Sequence, residues 1–249
     1  MNSKVVIEVR ELTKKYGRNA VLQGLDFDIL KGEIFGLFGP NGAGKSTFIS
    51  ILATLCKPTI GDILVNGSSV TGHPDKVKAV IGFVPQDIAL YPMLSGMDNL
   101  EFWAGIYGLK GSLKRERIAE ALSVARLEER IRDRVSQYSG GMKRRLNIAV
   151  SLLHHPEILV MDEPTVGVDI QSRRVILDAL ASLKSEGRTI VFTSHYIDEL
   201  ETLCDRIAVM DKGRLLATGT PAELKKACAT DNLEAVLHKL TDSQAGISL

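Results

Sequence analysis

The chain has 249 residues and carries 31 Lys+Arg against 30 Asp+Glu, a formal net charge of +1 with histidine neutral. Charged residues make up 24% and apolar residues 45%, which supports a sizeable core and excludes a disordered chain, a collagen-like repeat or a highly basic nucleic-acid binder. The longest stretch without Asp, Glu, Lys or Arg, Ile63 to Pro74, has 12 residues, too few to cross a bilayer.

The opening MNSKVVIEVR places Lys and Glu where a secretory signal needs its apolar run, so the expectation is a cytoplasmic chain. Residues 4–10 alternate as a half-buried strand does, and Ala20–Ile29 and Ile63–Val65 are strand-like too. Together they predict short antiparallel strands. Glu33–Phe38 (EIFGLF) is nearly continuous in apolar character, as in a strand buried on both faces of a parallel sheet. Residues 88–135 hold helical patterns at Met97–Tyr107 and Leu113–Ala125 and no convincing strand. Met142, Leu146, Ala149, Val150 and Leu153 share one apolar helix face. Ile158–Met161 and Thr189–Thr193 repeat the buried-strand pattern, and LEAVLHKL near the end reads as a short helix. Strands alternating with helices predict an α/β fold with a parallel sheet. The expected organisation is one domain over residues 1–228, with a core of 1–87 and 156–228, a helical insert at 88–155, and a tail at 229–249. Cys56, Cys204 and Cys228 form no CxxC pair and are expected as free thiols; the five histidines lack metal-ligand spacing.

Gly39-Pro40-Asn41-Gly42-Ala43-Gly44-Lys45-Ser46-Thr47 fits GxxxxGK[ST] between a strand and a helical run. Glycines let backbone amides close around phosphate oxygens, and a helix N-terminus adds favourable partial charge. Lys45 is expected on the β- and γ-phosphates and Ser46 on Mg²⁺. Asp162 ends a buried apolar strand, where an acid is costly unless it faces a cation; it is the second candidate Mg²⁺ contact. Glu163 follows as the candidate that polarises the attacking water. His195 ends the TIVFTSH strand at the same edge, as a candidate γ-phosphate donor.

Further pieces narrow the class: Gln86 in FVPQD, Ser139-Gly140-Gly141-Met142 opening a helix, Asp169 in VGVD, and Tyr16 in KKYG. In this order, with the phosphate loop and strand acids, they resemble the nucleotide-binding domain of ATP-binding cassette (ABC) transporters over residues 4–225. The resemblance implies a P-loop NTPase fold: a RecA-like core, an N-terminal antiparallel β subdomain and an inserted α-helical subdomain. It implies ATP and Mg²⁺, with catalytic roles for Glu163, His195, Lys45 and Gln86. It also implies adenine stacking by Tyr16, a metal or water contact by Gln86, and communication between sites by Asp169. Ser139, Gly140 and Gly141 would cap ATP held by a partner subunit, in a dimer of like or unlike chains. Aromatics from Tyr91 to Tyr107 would include a groove for an integral membrane permease, alongside an ordinary subdomain core. The chain departs from the family's Leu-Ser-Gly-Gly-Gln at Tyr138 and Met142. The YSGGMKRRL wording resembles exporters of the drug-resistance, sodium-extrusion and lipid type. A soluble ABC-type ATPase acting on ribosomes or DNA, or a small-molecule kinase, would share the phosphate loop. The first usually has two cassettes or a long coiled coil, and the second has no need of Gln86, the SGGM turn and Asp169 in order. Lys143-Arg144-Arg145 is expected to form a solvated helix face, with no nucleic-acid partner.

Overall fold

The computed structural model describes residues 4–194 and 196–243. The chain opens with β1 (Val5–Tyr16) and β2 (Asn19–Leu30), then β3 (Ile34–Phe38) and α1 (Lys45–Leu52). β4 (Ile60–Val65), β5 (Ser68–Ser69), α2 (Pro74–Val80) and β6 (Ile81–Val84) follow. Three helices come next, α3 (Gly96–Ile106), α4 (Gly111–Ala125) and α5 (Gly140–Leu152). The remainder runs β7 (Ile158–Met161), α6 (Ile170–Ser185), β8 (Thr189–Thr193), α7 (Ile197–Leu203), β9 (Arg206–Asp211), β10 (Arg214–Gly219), α8 (Pro221–Ala227) and α9 (Leu233–Ser243).

Two sheets result. The first, ordered β2-β1-β4-β5, is antiparallel. The second is ordered β10-β9-β3-β8-β7-β6, parallel from β9 to β6 with β10 antiparallel at one edge. The apolar runs of β3, β7 and β8 are buried at every position because each strand feeds two cores. Leu159, Met161, Ile190 and Phe192 face a core shared with α3 to α6 and the C-terminal helices. Their chain neighbours Ile158, Val160 and Val191 face a second core shared with α1 and the antiparallel sheet. The alternation is the strand period of two read from both sides.

β1 runs past the alternating 4–10 stretch through a register shift beside Glu11, whose φ is +46°, and so delivers Tyr16 to the loop side. The β9–β10 hairpin was not anticipated, although Asp211-Lys212-Gly213 between two apolar runs is a turn signal. Residues 88–135 contain helices and turns and no named strand among the described residues. Parallel register sets Leu37 beside Thr193 and Met161 beside both Phe192 and Val84. The residues just after β3, β6, β7 and β8 therefore meet at one edge, the usual ligand position in an open α/β sheet.

Candidate active site

β3 ends at Phe38, and the loop 39–44 returns the chain into α1. Gly39 has φ +154°, and a Cβ there would lie 2.1 Å from the Met210 carbonyl oxygen. Gly44 has φ +102°, and its Cβ would lie 2.6 Å from Leu22 Cδ2. Neither position admits a side chain, which keeps the loop tight against β2 and β9. Phe48 N is the amide that bonds back to Gly44 O at 2.9 Å, so the amides of Lys45, Ser46 and Thr47 lie before the intrahelical ladder. Lys45 is buried, and its Nζ donates to Gly39 O (2.7 Å) and Pro40 O (3.1 Å). Burial pushes its ammonium pKa down, and the carboxylates of Glu163 and Asp162 oppose that shift. A cation on loop carbonyls beside helix-start amides outside the intrahelical ladder is chemistry suited to a phosphate.

The strand-end acids close on this loop. Asp162 Oδ1 accepts from Ser46 Oγ (3.2 Å) and from Thr193 Oγ1 (2.8 Å). Thr193 Oγ1 in turn accepts from the Glu163 amide at 2.8 Å. Glu163 has φ +49°, a left-handed conformation uncommon for this residue type. Gln86 Nε2 donates to Glu163 Oε2 at 2.9 Å. Lys45, Ser46, Asp162, Glu163 and Gln86 thus lie together at one edge. Thr193, which orients both acids, was missed; its sign in the sequence is a hydroxyl ending an apolar strand. Among the described residues no group of three His, Cys, Asp or Glu could hold a metal by itself. One hydroxyl beside one carboxylate is instead a donor pair that Mg²⁺ shares with substrate phosphates.

The Lys143–Arg145 reading needs correction. Arg144 is only 5% exposed, and its Nη1 and Nη2 donate to Pro85 O (2.6 Å) and Gln86 O (2.5 Å). Arg145 donates to Ala125 O and Arg126 O, both at 2.9 Å. Arg144 thus meets the Gln86 segment and Arg145 the end of α4, while Lys143 and Arg145 stay partly exposed.

Ser139 caps α5, its Oγ accepting from Met142 N at 3.2 Å. A Cβ on Gly141 would fall 2.2 Å from Ser172 Oγ and 2.6 Å from Asp169 Oδ2, so this turn packs on the start of α6. Asp169 caps α6 by accepting from Ser172 N at 2.9 Å, and the Ser172 backbone and hydroxyl hold its carboxyl below the usual range. The two departures in the turn are explained by packing. Tyr138 is buried, with its hydroxyl on Arg130 O at 2.8 Å, and Met142 packs on the larger core. No hydrogen bond or ion pair among the described residues joins residues 139–141 to the phosphate loop. Tyr16 is 54% exposed, with its hydroxyl beside Thr47 and 4.0 Å from Cys56 Sγ. His195 lies outside the described residues.

The segments on either side of position 195 are tied down by an acid that sequence reasoning also missed. Glu199 is 1% exposed. Its Oε2 accepts from Thr165 Oγ1 (3.0 Å) and Ser194 Oγ (2.5 Å), and its Oε1 from Arg173 Nε (2.7 Å). The Tyr196 amide donates to Ser194 Oγ, and the Arg173 guanidinium stacks over the Tyr196 ring at 4.1 Å.

Beside the Gln86 segment lies an apolar groove of about 410 Å³, lined by Leu55, Val77, Phe83, Trp103, Tyr107 and Val150 among others. Trp103 Nε1 and Asn147 Nδ2 are buried there without a hydrogen-bond partner. Tyr91, Met93, Phe102 and Tyr107 are exposed nearby, whereas Trp103 packs on the core, so the aromatic cluster divides between surface and interior.

A family model described as "ABC transporter" matches residues 22–166. The linearmycin resistance ATP-binding protein LnrL of Bacillus subtilis (strain 168) is 45% identical over 228 residues, 92% of this chain and 73% of that protein. The Nod factor export ATP-binding protein I of Ralstonia nicotianae is 41% identical over 224 residues, 90% of this chain and 70% of that protein. Among solved structures, the ATP-binding cassette MJ0796, a dimer in a post-hydrolysis state bound to ADP and Pi, superposes with a TM-score of 0.77 at 29% identity, covering 86% of this chain and 98% of that one.

Proposed function

Because the chain belongs to the ABC transporter family, as an ATP-binding and ATP-hydrolysing subunit, we propose that residues 39–47 hold the ATP phosphates and Glu163 directs the attacking water. The single observation that carries this reading is the linked set Ser46–Asp162–Thr193–Glu163–Gln86 at the mouth of the phosphate loop. Ser46 and Asp162 would hold Mg²⁺, with Gln86 near it; the bound ion would offset charge on the transferring phosphoryl group. Lys45 would leave the carbonyls of Gly39 and Pro40 for phosphate oxygens, an exchange of neutral acceptors for charged ones. Tyr16 would stack on adenine and His195 would donate to the γ-phosphate.

The turn at 139–141 makes no bond to its own phosphate loop, so it would serve a second subunit's nucleotide, with Asp169 alongside. Two chains related by a two-fold axis would then share two sites. The solved structure of the ATP-binding cassette MJ0796 is dimeric. Among the described residues no helix is long and apolar enough to cross a membrane. The groove beside Gln86, with two buried donors lacking partners, would receive a cytoplasmic segment of an integral membrane permease. The subunit would sit at the inner face of the membrane through that partner. The names of the relatives, resistance and export, support outward transport.

Glu163→Gln tests the catalytic assignment. The variant should bind ATP as the parent does, lose hydrolysis by about a hundredfold or more, and elute as an ATP-dependent dimer. Undiminished turnover would remove Glu163 from the chemistry.

A further inference from the structure

We propose that Arg144 is a positioning residue for hydrolysis: it fastens Gln86 to the helix that begins at the 139–141 turn, so that turn and glutamine move as one body. The inference rests on the reading of Gln86 and Glu163 given above. Beyond the Gln86–Glu163 bond of that reading, the contacts of Arg144 and Asn147 carry it.

Arg144 is a buried cation whose guanidinium fork spans two consecutive carbonyls, Pro85 O at 2.6 Å and Gln86 O at 2.5 Å. One turn further along α5, Asn147 Oδ1 accepts from Ala89 N at 3.3 Å. Two buried polar side chains of one helix therefore grip residues 85–89 at three backbone atoms. Beyond that grip, the Gln86 side chain donates to Glu163 Oε2 at 2.9 Å. At the other end, Ser139 caps the same helix. A continuous path of bonds runs from the turn through α5, Arg144 and Gln86 to the acid.

A role in packing alone accounts poorly for the choice of residue. A buried arginine costs desolvation that an apolar side chain of similar volume avoids, and its Nε is buried here without a partner. Arginine suits the site because a planar fork fits two adjacent acceptors at fixed geometry; a lysine would reach one of them as a point donor. Asp87, Asp162 and Glu163 lie close enough to favour its charge. The guanidinium thus joins the α5 body to the acid-rich edge both mechanically and electrostatically. Capture of a phosphate by the turn would displace α5 only together with Gln86.

The test uses the purified full chain with Mg-ATP and four variants: R144M, R144K, Q86A and the double variant Q86A/R144M. Methionine keeps the length and removes every donor. R144M should keep its ATP dissociation constant and KM within about twofold while kcat falls about tenfold. In the Q86A background the same change should cost less than about twofold, because the side chain that Arg144 positions is already gone. R144K keeps the charge but loses the fork, and its kcat should fall about fivefold. Should R144M fail to fold, R144K alone and in the Q86A background decides by the same criteria. Full turnover in R144M or R144K, losses that multiply in the double variant, or parallel falls in ATP affinity and kcat would each overturn the proposal. An inactive parent chain would count against the hydrolytic reading itself, whereas an active parent with an active R144M counts against the coupling alone.

Discussion

At the scale of single residues, the most consequential groups are those with several partners. Glu199 is the clearest. One buried carboxylate holds Thr165, Ser194 and Arg173, and so joins the segment after Glu163, the segment before position 195, and α6. Glu199→Ala would leave two buried hydroxyls without their acceptor, while the Arg173 guanidinium would keep Asp198. The expected loss is about 2 kcal/mol in urea unfolding, since two buried hydroxyls lose the acceptor they share. Glu199→Gln keeps the shape and an acceptor and should lose about 1 kcal/mol. ATP affinity should stay near that of the parent in both, because no contact of Glu199 reaches the phosphate loop. Equal midpoints for parent and alanine variant would show the network to be energetically idle. Lys45, Ser46, Asp162 and Gln86 were legible as candidates because each stands beside chain punctuation, a glycine run or the end of an apolar strand. Arg144 and Glu199 carried no such mark, and Thr193, although it ends an apolar strand, reads as one more residue of that strand. The partners of Arg144, Thr193 and Glu199 lie 58, 31 and 34 residues away in the chain, and pairing at that separation is visible only after folding.

Among the elements, α9 changed most between expectation and structure. It reads as a tail, yet Leu233, Val236 and Leu240, spaced at three and four residues, are fully buried in the larger core. Lys239 Nζ donates to Cys228 O (2.7 Å) and Ala229 O (3.1 Å), carbonyls at the end of α8 that the helix leaves unpaired. Leu233 N donates to Glu201 Oε1 on α7 at 3.2 Å. The helix therefore closes the side of the core behind α7. Val236→Asp would place a carboxylate in that apolar contact. The expected result is a loss of about 3 kcal/mol and rapid trypsin cleavage after Lys239, with the site residues still in place. A variant as protease-resistant as the parent would show that α9 contributes little to the fold. The central strands were legible because burial on both faces leaves an unbroken apolar run. The α5 pattern misled in one respect. Its apolar face was evident, but the Lys143–Arg145 run implied solvent, whereas Arg144 is buried, as are the polar Asn147 and Ser151 further along. Helical periodicity separates apolar from polar faces; it does not separate a solvated polar face from one that bonds to buried backbone.

For the molecule as a whole, the arrangement of the two proposed anion-binding surfaces matters most. The phosphate loop sits where β3 enters α1, on the edge between the two cores, and the 139–141 turn sits on the start of α6. If the turn serves a second chain, two defective chains can repair each other. Lys45→Ala disables the loop. Gly140→Asp disables the turn while leaving the fold, because a Cβ at Gly140 meets nothing nearer than Gly167 O at 3.7 Å and the new carboxylate repels phosphate. Each variant alone should be inactive. Mixed in equal amounts without nucleotide and then given Mg-ATP, half of the randomly formed pairs combine one chain of each kind. Such a pair has one intact loop facing one intact turn, so the mixture should recover about a quarter of the parent's turnover. A turn acting within its own chain makes the opposite prediction, since every chain in the mixture then carries a damaged site. Activity that stays at background for every mixing ratio would confine both surfaces to one chain and remove the need for a dimer.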